Sequence, residues 1–242
     1  MPLVITLNSF LAVLQPQHNM KIKLTNHFKK TIYLVVFAAF GVSHAGSYDD
    51  FFKALKMDDA VTVGRLLARG FDANTLDPQG QHGLVVAIKE PSTKAAKVLL
   101  NAPKIELNAL NVLGESPLML AALKGELELA AEMVKKGADV NKTGWTPLHY
   151  AASNGQVSVI KLLLENYAYI DAESPNGTTP LMMASMYGSP EAVKLLLDEG
   201  ADPSLKNQQG MTALNFADRG KRPDAIEMLT KAQRLRQATG KW

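Results

Sequence analysis

GWTPLHYAA, residues Gly144 to Ala152, decides how this chain is read. A Thr-Pro pair, a histidine and two alanines make an odd mixture, and His149 poses a choice between chemistry and architecture. The stretch is not unique. GESPLMLAA begins at Gly114, GTTPLMMAS at Gly177 and GMTALNFAD at Gly210, with a degenerate copy, GQHGLVVAI, at Gly80. In chain order their leading glycines lie 34, 30, 33 and 33 residues apart. A period near 33 residues marks a stacked-repeat protein, whose units are each too small to bury an apolar face alone.

Each repeated position has a physical use. Thr146 caps a helix by accepting from an orphan backbone N–H. Pro147 then takes the first helical position, where its missing donor costs nothing. Leu148, Ala151 and Ala152 give a short helix a small apolar face, and Gly155 ends it in the left-handed conformation. VSVIKLLLEN follows, with Val157, Ile160, Leu163 and Leu164 at helical spacing. ELELAAEMVKKG and PEAVKLLLDEG repeat that pattern and close on Gly137 and Gly200, before a polar hairpin-like segment leads to the next unit.

A Thr-Pro-Leu-His-x-Ala core at this period resembles the ankyrin-repeat family, and the resemblance runs from about Ser47 to the C-terminus. It implies an all-α solenoid of about five to six helix-turn-helix units with short hairpin fingers. The units fall at about 47–79, 80–113, 114–143, 144–176, 177–209 and 210–242. The first and last depart from the motif as capping repeats do.

Three places break the pattern. Only Lys142-Thr143 separates Asn141 from Gly144, three residues short, so the finger there should be clipped and leave a notch. The second unit has Gly83 in place of proline and Pro91 in place of the turn glycine, which predicts a frayed first helix. The fourth carries Tyr167 in place of its terminal glycine.

The N-terminus differs in kind. From Met20 the chain reads MKIKLTNHFKK, TIYLVVFAAFGV and SHAGSYDD: a basic segment, an apolar run of about a dozen residues and a small-x-small ending. This is the pattern of a signal peptide over residues 20–45, cleaved after Ala45, with residues 1–19 as an upstream extension and residues 46–242 as the repeat domain. The run is short of the roughly 18–20 residues that span a bilayer, so no stable membrane anchor is expected after cleavage. The chain has no cysteine, which excludes disulfides and Cys-ligated metals. Its net charge of +3 comes from the leader, where four of the 26 basic residues and none of the 23 acidic ones lie. The remaining 22 basic and 23 acidic residues sum to −1, which speaks against nucleic acid as a partner.

No cofactor or catalytic constellation is visible. The expected mature chain keeps His82 and His149 only, too few for a zinc site without other clustered ligands, and it has no nucleophile elbow or phosphate-binding loop. His149 matches the family's structural histidine, and Met119, Met182 and Asn215 replace it in sister repeats.

The resemblance implies non-catalytic binding of another protein, by a monomer, on the concave face of fingers and inner helices. The matching variable positions are Gln79 and Gln81; Leu113, Glu115, Leu123 and Lys124; Trp145, Ser153 and Asn154; Asn176, Thr178, Met186 and Tyr187; and Gln208, Gln209 and Met211. Trp145, Tyr187 and the two methionines stand out, since such side chains are enriched at interface cores and the rival role is packing between repeats. The chain thus reads as a periplasmic or secreted binding module. The alternatives are an inhibitor or immunity-type protein that blocks an envelope enzyme or toxin, and a host-directed effector.

Overall fold

The computed structural model describes residues 46–90 and 93–239, with side chains to residue 236. The leader, the upstream extension and Pro91 lie outside the described residues.

Six helix pairs follow one another. The first is α1 (46–56) with α2 (Ala60–Ala68). Then come α3 (Gly83–Lys89) with α4 (Thr93–Leu100), and α5 (Pro117–Lys124) with α6 (Leu127–Lys135). The last three are α7 (Pro147–Ser153) with α8 (Val157–Glu165), α9 (Pro180–Tyr187) with α10 (Pro190–Asp198), and α11 (Ala213–Arg219) with α12 (Pro223–Thr239). From the second pair on, first helices pack on first helices and second helices on second helices, giving two layers. The chain is an all-α solenoid, with no strand among the described residues.

The repeated motif does what its residues dictate. Thr146, Thr179 and Ser116 cap α7, α9 and α5, each followed by proline in the first turn. The third residue after each of these caps, and after Thr212 at the start of α11, returns a bond to the cap's own N–H. His149 Nδ1 accepts it at 3.2 Å, Met119 Sδ at 3.3 Å, Met182 Sδ at 3.4 Å and Asn215 Oδ1 at 2.9 Å. Leu118, Ala121, Leu148, Ala151, Ala152 and Leu181 are fully buried between layers, so small residues set the close spacing of the first helices.

The frayed helix expected in the second unit is not found. Helix α3 spans Gly83–Lys89 and buries its first six residues. A Cβ on Gly83 would lie 3.0 Å from two Phe51 ring carbons and 3.2 Å from Leu55 Cδ1. Glycine stands here because α1 fills the space a larger residue would need, and that packing outweighs its poor helix propensity.

The clipped finger is present. Four fingers close by the same exchange: the N–H of Asp77, Asn111, Ser174 and Asn207 donates to the carbonyl of Gln81, Glu115, Thr178 and Met211, at 2.9 to 3.0 Å. The shortened linker between Asn141 and Gly144 makes no such closure among the described residues.

A one-per-repeat clamp ties each linker to the next. Asn74 donates to Lys104 O and accepts from Glu106 N, both at 2.9 Å. Asn108 accepts from Asp139 N, Asn141 donates to Tyr167 O and accepts from Tyr169 N, and Asp171 accepts from Asp202 N. Burial raises the Asp171 carboxyl above its usual range, and the hydrogen bond from the Asp202 N–H offsets part of the rise.

Tyr167 takes the left-handed conformation of the glycines it replaces, with φ 64° against 94° at Gly137 and 100° at Gly200. Its side chain is 86% exposed and contributes little packing in return. Tyr167→Gly should therefore raise the unfolding free energy by about 1 kcal/mol, the cost of holding a Cβ there. Urea titration measures it, and a loss of stability would mean that the tyrosine ring holds the fold.

Candidate protein-binding face

The face of fingers and first helices is built from the residues that the motif leaves over. Pro, Leu and Ala of α5, α7 and α9 turn into the core, so the helix C-terminus and the finger tip remain at the surface.

Of the residues that sequence points to, Gln79, Leu113, Lys124, Asn154, Asn176, Tyr187, Gln208 and Gln209 are exposed. Gln81, Glu115, Leu123, Trp145, Ser153, Met186 and Met211 are half-buried, and Thr178 is buried. Many of these also join one repeat to the next. Lys124 Nζ donates to Lys89 O, and Asn154 Nδ2 to Leu123 O at 2.8 Å, so each caps the preceding first helix. Gln208 bridges the last two fingers, its N–H donating to Asn176 O at 3.0 Å and its Nε2 to Pro175 O at 2.9 Å. Gln81 accepts from Lys89 Nζ at 2.6 Å. Glu115 accepts from Tyr150 OH at 3.1 Å, and burial together with that carboxylate pushes the phenol up to about 12.

Trp145 lies edge-on to His149, with ring centroids 5.2 Å apart. Met186 and Met211 pack against the core. Tyr187 is the large aromatic of the set that stands out from the surface, at 58% exposure.

His149 is fully buried and bonded on both ring nitrogens. Nδ1 accepts from the Thr146 N–H, so in the neutral ring Nε2 carries the proton and donates to Thr178 O at 2.9 Å. Burial drives its pKa down to about 4. A ring so placed bridges two repeats. Among the described residues no three His, Asp or Glu side chains group as metal ligands, and no helix is long and apolar enough to cross a membrane.

Sequence reasoning missed Val112, at 79% the most exposed large aliphatic among the described residues, beside Leu113 at 75%. The signal was available, since the same finger positions hold Pro78-Gln79, Pro175-Asn176 and Gln208-Gln209. Two aliphatic residues at a turn are out of keeping with polar turn chemistry.

Comparison with known proteins agrees with this architecture. The family model described as ankyrin repeats (3 copies) matches residues 51–143, 84–174 and 170–237. The E3 ubiquitin-protein ligase Ufd4 of Drosophila melanogaster is 31% identical over 115 residues, 47% of this chain and 4% of that protein. Protein phosphatase 1 regulatory subunit 27 of Mus musculus is 37% identical over 81 residues, 32% of this chain and 53% of that protein. The chain therefore spans about half or less of the length of these curated relatives. The human ASB11 ankyrin repeat domain superposes with a TM-score of 0.69 at 27% identity, covering 75% of this chain and 82% of that one. The ankyrin repeat protein EF0377 gives 0.66 at 27% identity, covering 75% and 96%. Proteins built of such repeats are in general non-catalytic interaction modules, and this chain, matched by the repeat model over most of its length, belongs to the ankyrin-repeat family.

Proposed function

We propose that the chain is an exported, non-catalytic module that holds a partner protein on its finger and first-helix face. The observation that carries this reading is the division of labour within each repeat. Motif residues go to the core and to helix caps, while Leu113 and Tyr187, free of that duty, stand exposed on the other side. Exposed large apolar side chains next to polar ones are the composition of an interface core and rim. The likeness to a mouse regulatory subunit supports an accessory rather than a catalytic role. Export rests on the leader pattern of residues 20–45.

Two measurements test the two halves. A photo-crosslinker placed at Tyr187 should capture a protein in cells, whereas one at Lys161, exposed on the second-helix layer, should not. Capture at Lys161 alone would move the binding site to the other layer. Intact mass should begin at Gly46 in the exported fraction, and a chain beginning at Met1 or Met20 in the cytosol would end the export reading.

A further inference from the structure

The row of fingers has a gap, and the residues around it are unlike those elsewhere on the surface. Each finger's glycine faces the finger that follows: an added Cβ on Gly80 would meet Val112 at 4.0 Å, on Gly144 Pro175 at 3.5 Å, and on Gly177 Asn207 at 3.3 Å. Gly114 meets nothing within 4 Å, as at Gly210, where the row ends. The second finger thus faces an empty place, because the third is three residues short.

Exposed apolar residues gather on the linkers flanking that place. Leu110, Val112 and Leu113 lie on the linker before it, and Tyr167 and Tyr169, at 86% and 69% exposure, on the linker after it. Asn141 of the short linker bonds to the backbone of both tyrosines, which fixes them beside it. These five make up a large share of the eleven exposed large apolar side chains among the described residues.

The protein itself shows what docks against the leading edge of a finger. On the fourth finger the occupant is the fifth, a turn that gives a backbone N–H to Asn176 O and an amide to Pro175 O. The carbonyls at the matching positions of the second finger are those of Leu113 and Val112, with aliphatic walls instead of polar ones.

We propose that the notch receives a short, uncharged, apolar turn of the partner protein, which takes the place of the missing finger. Backbone donors pairing with a free edge supply registry, and the aliphatic wall supplies selectivity for apolar side chains. This deepens the binding reading above and rests on it.

The test presents the full chain with phage-displayed, disulfide-closed heptapeptides. The expected enrichment is in peptides with aliphatic or aromatic, uncharged turns. Leu113→Asp, at an exposed position that leaves the fold intact, should weaken them at least tenfold. Exchanging Lys142-Thr143 for the sequence of residues 172–176 restores the finger and should abolish binding without loss of stability. Lys161→Ala, exposed on the second-helix layer, should leave it unchanged. Peptides that bind the finger-restored chain equally well, or no enrichment at all, would overturn the proposal. A dimer that dissociates on restoring the finger would also overturn it, since a second copy would then be the occupant. If crosslinking at Tyr187 persists while no turn peptide binds, the notch fails and the wider binding face stands.

Discussion

His149→Ala is expected to destabilise the stack by about 3–5 kcal/mol. The change leaves the Thr146 N–H buried without a partner, takes from the buried Thr178 carbonyl one of its two donors, the other being the Ser174 N–H, and opens a cavity where a fully buried ring stood. It also removes the surface on which Trp145 rests. The damage falls between the fourth repeat and the fifth, and solenoid stability is a sum of nearest-neighbour terms. Unfolding by urea should therefore split into two transitions, the parts on either side of the break melting separately. His149→Asn should cost less, because Asn215 already returns the cap bond to Thr212 N at 2.9 Å.

The same site sets a pH dependence. An unfolded histidine titrates near 6.5, and burial holds His149 neutral down to about 4. Between these values the unfolded chain binds a proton that the folded chain refuses. Stability from the neutral ring is complete above pH 6.5 and declines as pH falls toward 4, by about 1.4 kcal/mol per unit and about 3 kcal/mol in all. The gap between wild type and His149→Asn should narrow over that window and stay constant above it. A gap of fixed size from pH 7 to 4 would mean that the ring is solvated when charged.

Gly188→Ala should cost about 3 kcal/mol, through space rather than torsion. Its φ is −77°, which any residue adopts, but an added Cβ would lie 2.4 Å from Ala152 O and 2.8 Å from the Cα and O of Ala184. These are backbone atoms of two neighbouring first helices, and they have no rotamer by which to retreat. Gly200→Ala is the control. It meets nothing within 4 Å and suffers only from its φ of 100°, so it should cost about 1 kcal/mol. Urea midpoints of the two variants give the ranking, and equal losses would show that the first helices separate without strain.

What was legible in the sequence was what repeats within one period. The caps at Ser116, Thr146 and Thr179, the first-turn prolines and the short linker all follow from residues a few positions apart. What was hidden depends on residues about one period away. Gly83 reads as a weak helix start until Phe51 is found against it, and Asn74 reads as a polar loop residue until it is seen holding Lys104 and Glu106. On the candidate face, exposure at Leu113 and Tyr187 followed from the motif, since neither occupies a core position. The half-burial of Trp145 did not follow, although His149 is only four residues on, because composition ranks a tryptophan by type and not by what lies beneath it.

The clamp formed by Asn74, Asn108, Asn141 and Asp171 gives the chain a direction. In each case the side chain belongs to the earlier repeat and the bonded backbone to the later one. A linker thus finds its bonding template already in place if the repeat before it has folded, and lacks one if it has not. Folding that begins at the N-terminus meets a prepared surface at every step, as in a chain emerging from a ribosome or threading a pore. Growth from the other end would order each linker before this clamp exists.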